Sequence, residues 1–157
     1  MGLTLHPFDL ATNRVLALVG RLEVRDWIDV MSCNSSIQPL GYLFWAAAGK
    51  DPGPSPPFIV DEAARSSRYS QAEVDAMPLT HSPRSAAEMS QQWRVILREA
   101  REIIDFLPAA EVGKCDLPAS GDLLNVSSSH LVKLLREGDI RFHAGCLRGA
   151  YSRFMAE

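Results

Sequence analysis

Between Ser85 and Leu107 the residues Ala86, Met89, Trp93, Ile96, Leu97, Ala100, Ile103, Ile104 and Leu107 recur at intervals of three and four. Only an α-helix brings that spacing onto one side. Glu88, Gln92, Arg94, Arg98, Glu99, Arg101, Glu102 and Asp105 fall away from the stripe, and Pro108 terminates the helix. A helix of this length with one apolar face must be covered by other apolar elements of the chain. With 157 residues, 46% of them apolar and 22% charged, the chain has the material to do so without a disulfide or metal. One domain spanning 1–157 is the expectation, with a helical portion over 1–110 and a small α+β tail over 111–157. The fold class expected is α+β, mainly α.

The rest of the chain reads as shorter pieces. Gly2 to His6 looks extended and is closed by Pro7. From Phe8 to Leu22 the positions Leu10, Val15, Leu16, Leu18, Val19 and Leu22 follow helical spacing, with Asp9 or Thr12 available to cap the first turn. A second helix is expected from about Arg25 and Asp26 to the turn-favouring Cys33, Asn34, Ser35 and Ser36, forming a hairpin with the first. Leu40 to Ala48 reads as a short helix stopped by Gly49, and the four prolines between Asp51 and Pro57 demand a surface loop. Helices follow at Phe58 to Arg65 and from Ser70, where Ser70 and Glu73 have capping-box spacing, with a stop at Pro78. Past Pro108, Gly113–Leu117 and Leu123–Val126 flank a turn and suggest a hairpin. Ser127–Ser129 opens a helix through Leu131, Leu134 and Leu135 to Gly138, and Ile140–Ala150 suggests a final hairpin turning near Ala144 and Gly145.

The formal charge of −3 gives the molecule no bulk attraction for nucleic acid or anionic lipid, so any anion site must be local. The richest apolar stretch, Leu40 to Ala48, is interrupted by Gly41 and is far short of the roughly 20 residues of a membrane span. The N-terminus also lacks a basic region followed by an apolar run. A cytoplasmic protein without a membrane partner is therefore expected. Cys33, Cys115 and Cys146 are odd in number and widely spaced, which suits buried reduced thiols.

The stretch from Arg14 to Val30 carries the most chemistry, because charged residues stand there at regular intervals among apolar ones. Arg14 and Arg21 are two helical turns apart and share a face. Arg25 and Asp29 have i,i+4 spacing and can pair, and Asp26 is placed to cap the second helix. Two readings stay open. In one, three guanidiniums oriented by two carboxylates form a phosphate clamp, since guanidinium makes paired planar bonds to phosphate oxygens and keeps its charge. In the other, the same five residues are a half-buried ion-pair network that sets the angle of the hairpin.

A basic residue, then Leu16-Ala17-Leu18, Arg21 and Arg25-Asp26-x-x-Asp29, resembles the C-terminal motif of nucleotidyltransferase-like proteins of the AbiEii/AbiGii type. There the pattern reads Lys-x-x-Ala, Arg, Arg-Asp-x-x-Asp-Leu. The lead-in from Leu5 to Asn13 resembles the family's passage from its last sheet strand into this helix. The resemblance implies a nucleotidyltransferase fold in a bacterial protein, transfer of a nucleotide to RNA or protein in toxin members, Mg²⁺, and a cognate antitoxin-like partner. Arg14, Arg21, Arg25, Asp26 and Asp29 would then lie beside a nucleoside triphosphate and support it as substrate-binding residues. The family's lysine is Arg14 here. Its Gly-Ser or Gly-Gly turn and Asp-x-Asp strand, which hold the metal, have no counterpart in this chain. The expectation is a C-terminal portion that does not transfer nucleotides alone, with Mg²⁺ bound only where a complete nucleotidyltransferase core is present and no catalytic or metal-ligating residue within this chain. The alternative is a non-catalytic helical interaction module that binds a protein through the N-terminal strand and first helix.

Other signals read more plainly. His6, His81, His130 and His143 show no metal-ligand spacing. Trp27, Tyr42, Phe44, Trp45 and Trp93 read as core in preference to a base-stacking surface. Arg98 and Glu102, four apart on the long helix, suggest a solvated ion-paired face. Lys133, Arg136, Arg141, His143, Arg148 and Arg153 give the C-terminal segment a positive excess, which makes RNA a candidate partner there.

Overall fold

The computed structural model describes residues 6–50, 53–65, 69–78, 85–118 and 121–144. Within them the element order is α1 (Pro7–Arg21), α2 (Val24–Ser36), α3 (Leu40–Ala47), α4 (Pro56–Ala64), α5 (Gln71–Asp75), α6 (Ala86–Phe106), a 3-10 turn (Ala109–Glu111), β1 (Cys115–Pro118), α7 (Ser128–Glu137) and β2 (Ile140–His143). The chain is mainly helical with one small antiparallel sheet, as the apolar periodicities predict. Most of the segment expected as the N-terminal strand, and most of the residues after β2, lie outside the described residues.

All eight residues of α3 are buried, and the helix lies at the centre, packed by α6, α1, α4 and β1. Apolar side chains all round an eight-residue helix leave it no solvent face, so its neighbours must surround it. Gly41 makes the approach of α6 possible, since a Cβ there would stand 2.6 Å from the Cβ of Ile103. At the other end of α3, Gly49 and Gly113 meet backbone to backbone, and Gly113 has φ +86°. Trp45 links the same region, donating through Nε1 to the Glu111 carbonyl at 2.9 Å while its own carbonyl accepts from Gly113 N at 3.1 Å.

α6 forms as the stripe demands, with Ser85 capping Glu88 N and the apolar positions buried. Trp93 is fully buried and donates to the Ala63 carbonyl at 3.2 Å, joining α6 to α4. Trp27 meets Trp93 edge-on at 6.4 Å and Tyr69 at 5.0 Å, and the five aromatics expected in the core are all buried. The capping box of Ser70 and Glu73 is present. Arg98 and Glu102 do not pair. Arg101 instead reaches Asp61 on α4 at 2.7 Å, and Glu99 and Glu102 accept from Ser128. Two carboxylates of α6 therefore serve the free N-terminal groups of α7, where negative charge also meets the positive end of the helix dipole.

The tail differs from the expected pairing. β1 pairs with β2, with Cys115 opposite His143, Asp116 opposite Phe142 and Leu117 opposite Arg141. Leu123–Val126 forms no strand. Its carbonyls are taken by α3 and the segment before it, through Gln38 Nε2 to Leu124 O at 2.8 Å and Tyr42 Oη to Val126 O at 2.8 Å. Local turn residues predicted a local hairpin, but backbone acceptors can be satisfied equally by buried side chains from far along the chain.

Candidate functional site

The charged residues singled out from sequence lie on the α1–α2 hairpin. α1 starts where Pro7 removes a donor the first turn does not need, and His6 Nδ1 accepts from Phe8 N at 3.1 Å. His6 is thus the cap, and neither Asp9 nor Thr12 fills that role. Phe8, Ala11, Val15 and Leu18 form the buried face of α1. The helix ends at Leu22, which adopts a left-handed φ of +55° and whose carbonyl accepts from the Tyr69 hydroxyl. α2 then runs back antiparallel from Val24, with Trp27 and Val30 fully buried against the core.

Arg14 and Arg21 share the outer face of α1, and both reach across to α2. Arg21 Nη2 donates to Asp26 Oδ1 at 2.8 Å, and Arg14 Nη1 lies 4.0 Å from Cys33 Sγ. With Arg21 opposite Asp26 and Arg14 opposite Cys33, the register places Asp29 across from the stretch between the two arginines. Burial pushes the Cys33 thiol up, the Arg14 guanidinium opposes that shift and Asp29 adds to it. Two turns of helix separate the arginines by about 10 Å. They form a stripe along the seam, and its guanidiniums face solvent: Arg14 and Arg25 are exposed and the Arg21 side chain is 58% exposed.

Two expected details change. Asp26 does not cap α2: Glu23 occupies the N-cap position without a side-chain bond, and Asp26 is buried two residues into the helix with Oδ1 committed to Arg21. Arg25 and Asp29 do not pair, and neither joins an ion pair among the described residues. Arg25 projects into solvent, where its charge gains little from a partner it would have to immobilise.

A second cluster, not read as a site from sequence, sits beside the first. Lys50, just after α3, directs Nζ to the Asp9 carbonyl and to Asn13 Oδ1, each at 3.1 Å, and lies 3.6 Å from Asp9 Oδ1. Asp9 is fully buried, and its two carboxylate oxygens accept no hydrogen bond. Burial pulls Lys50 below the ordinary lysine value, and Asp9 works against that shift. The only available signal was a carboxylate at an apolar helix position, since the lysine comes from a distant loop. One turn further along α1, Leu16, Val19 and Gly20 face Gly53, Pro54 and Phe58 across an apolar groove of about 290 Å³.

Among the described residues no group of three or more His, Cys, Asp or Glu is placed to hold a metal ion. Asp26 with one oxygen on Arg21, and Asp29 on the next turn, do not form a cation cage. No helix among the described residues is long and apolar enough to cross a membrane. The fold and site define a mainly helical α+β protein with an open, arginine-bearing helical seam. No family model matches the chain, nor does any curated protein or solved structure.

Proposed function

We propose that this chain is the C-terminal, nucleotide-pocket-supporting portion of an AbiEii/AbiGii-like nucleotidyltransferase, acting on the triphosphate through Arg14, Arg21 and Arg25 and not catalysing transfer alone. The observation that carries this reading is the seam itself. Arg14 and Arg21 stand on one solvent-facing side of α1, Arg21 is oriented by Asp26, and Asp29 lies between them on α2. Guanidiniums with free N–H groups, held at one end and open at the other, bind phosphate oxygens without first having to be ordered. A purely structural network would be expected to bury its arginines or saturate them, and Arg25 has no ion-pair partner among the described residues. Mg²⁺ belongs to this reading as a companion of the triphosphate, held by a complete nucleotidyltransferase core.

A second reading, a protein-interaction module, draws on the exposed Leu10, 41% accessible on the same face of α1 as Arg14 and Arg21. Calorimetric titration with inorganic tripolyphosphate and with nucleoside triphosphates plus Mg²⁺ separates the two. The nucleotidyltransferase reading expects saturable binding that weakens about tenfold in Arg21→Ala, the size of one lost charge-assisted hydrogen bond. Binding that is absent, or equal in the native chain and in Arg14→Ala and Arg21→Ala, rejects it.

A further inference from the structure

We propose that residues 121–126 form a strap held closed while Asp116 is neutral, and that loss of the Asp116 proton redirects the side-chain donors that clamp the strap and releases it with the helices still folded. The device is separate from the arginine seam and does not depend on what the seam binds. The strap joins β1 to α7 and belongs to neither strand of the sheet. Leu124 is its one fully buried side chain, with Leu123 and Val126 half-buried and Asp122 and Asn125 exposed. A segment with so few buried apolar groups opens at lower cost than the helices around it. Its backbone is tied down by Leu124 N to the Asp116 carbonyl at 3.1 Å, by Gln38 Nε2 to the Leu124 carbonyl at 2.8 Å and by Tyr42 Oη to the Val126 carbonyl at 2.8 Å.

Gln38 is fully buried between the strap and β1, and its amide also lies 3.4 Å from the Asp116 carbonyl. Both Asp116 carboxylate oxygens accept no hydrogen bond. A neutral carboxyl tolerates that position, whereas a buried carboxylate must find donors or water. The charged groups around it offer none. On α3 the only titratable residue is Tyr42, and on β2 Arg141 and His143 stand opposite Leu117 and Cys115, on the other face of the ladder from Asp116. Glu111 is paired with Lys114, Asp9 with Lys50, and Glu99 is bonded to Ser128. Cys115 is an uncharged thiol, and Asp122 on the strap is a further acid. The donors left are Gln38 Nε2, already against the Asp116 main chain, and Tyr42 Oη, whose proton the charge of Asp116 holds more tightly. Tyrosine has one hydroxyl hydrogen and the Gln38 amide has two, so turning either group to the carboxylate takes a donor away from the strap or from the β1 carbonyl beside it.

An open strap lets water reach the ionised carboxyl, so opening grows by up to about tenfold per pH unit from the ordinary carboxylate value to the raised one and then levels off. The experiment is limited chymotrypsin digestion of the full chain from pH 6 to pH 9, with cleavage after Leu123 and Leu124 followed by mass spectrometry and helix content by circular dichroism. The native chain is compared with Asp116→Asn at each pH, so that the protease's own pH dependence cancels in the ratio of rates. The expected result is a ratio that climbs with pH, by up to about tenfold per unit, while the helical signal stays constant. Tyr42→Phe, which removes one clamp and keeps the ring, should be cut in the strap faster than the native chain at every pH. A ratio that does not change with pH overturns the proposal. Cleavage that rises only as the helical signal falls reports global unfolding and also overturns it, as does a Tyr42→Phe strap no more sensitive than the native one.

Discussion

Asp116 offers a test of the fold with a defined sign. The residue sits on β1 at 1% exposure, and neither carboxylate oxygen has a hydrogen-bond partner. Burial holds its carboxyl well above the usual carboxylate range, and Glu111 adds to the shift. The other groups facing this region are Tyr42 and Cys115, both also pushed up, with Glu99 and Asp9 contributing further negative charge. Asp9 and Glu111 are each paired with a lysine, Lys50 and Lys114, whereas Asp116 has no ion-pair partner among the described residues. Phe142, opposite Asp116 in the ladder, has no charge to offer.

An acid whose folded pKa lies above its unfolded value binds more protons when folded. Its stabilising effect is therefore complete below the unfolded value, near 4, and is lost as pH rises towards the folded value. Within that window the loss approaches about 1.4 kcal/mol per pH unit. For a chain of this length each kcal/mol shifts Tm by about 2–4 °C, so the slope amounts to about 3–5 °C per pH unit. Asp116→Asn keeps the shape and removes the titration. Circular dichroism melts of the native chain and the variant at half-unit steps from pH 4 to pH 7 should show a Tm difference that grows in the variant's favour as pH rises. Other carboxylates titrate alike in both proteins and cancel in the difference. Parallel Tm curves across the whole range would refute the placement of Asp116 as an uncompensated buried acid.

Two further outcomes follow from packing and pairing. Gly41→Ala must push α3 and α6 apart, because the new methyl would stand 2.6 Å from Ile103 Cβ. The expected loss is about 1–3 kcal/mol in urea denaturation, against a near-neutral result if the helices can slide. Lys50→Met leaves the fully buried Asp9 without its only ion pair among the described residues and should cost about 3–5 kcal/mol. Asp9→Asn in the same background should recover part of that loss in the same denaturation assay, and no recovery would mean that Lys50 acts through its bonds to Asn13 and the Asp9 carbonyl.

Local spacing was enough to specify most of the helices. The stripe of α6, the Ser70 capping box and the stop at Gly138 each depend on residues within one or two turns of one another, and each appears where its residues place it. The shared face of Arg14 and Arg21 was legible for the same reason, since helical periodicity alone carries them to one side. Contacts between distant segments were decided by the tertiary structure. Residues 115–118 could have formed a ladder with the strand-like segment nearby, but a single backbone bond joins them, Leu124 N to the Asp116 carbonyl, while Gln38 and Tyr42 take that segment's carbonyls and β1 pairs with β2. Arg21 takes Asp26 across the hairpin instead of leaving it as a cap, and Lys50 reaches Asp9 and Asn13 from the end of another helix. A side chain's neighbours along its own helix are set by a fixed geometric repeat. Its partners across the core depend on which buried polar groups remain to be satisfied once every helix has packed.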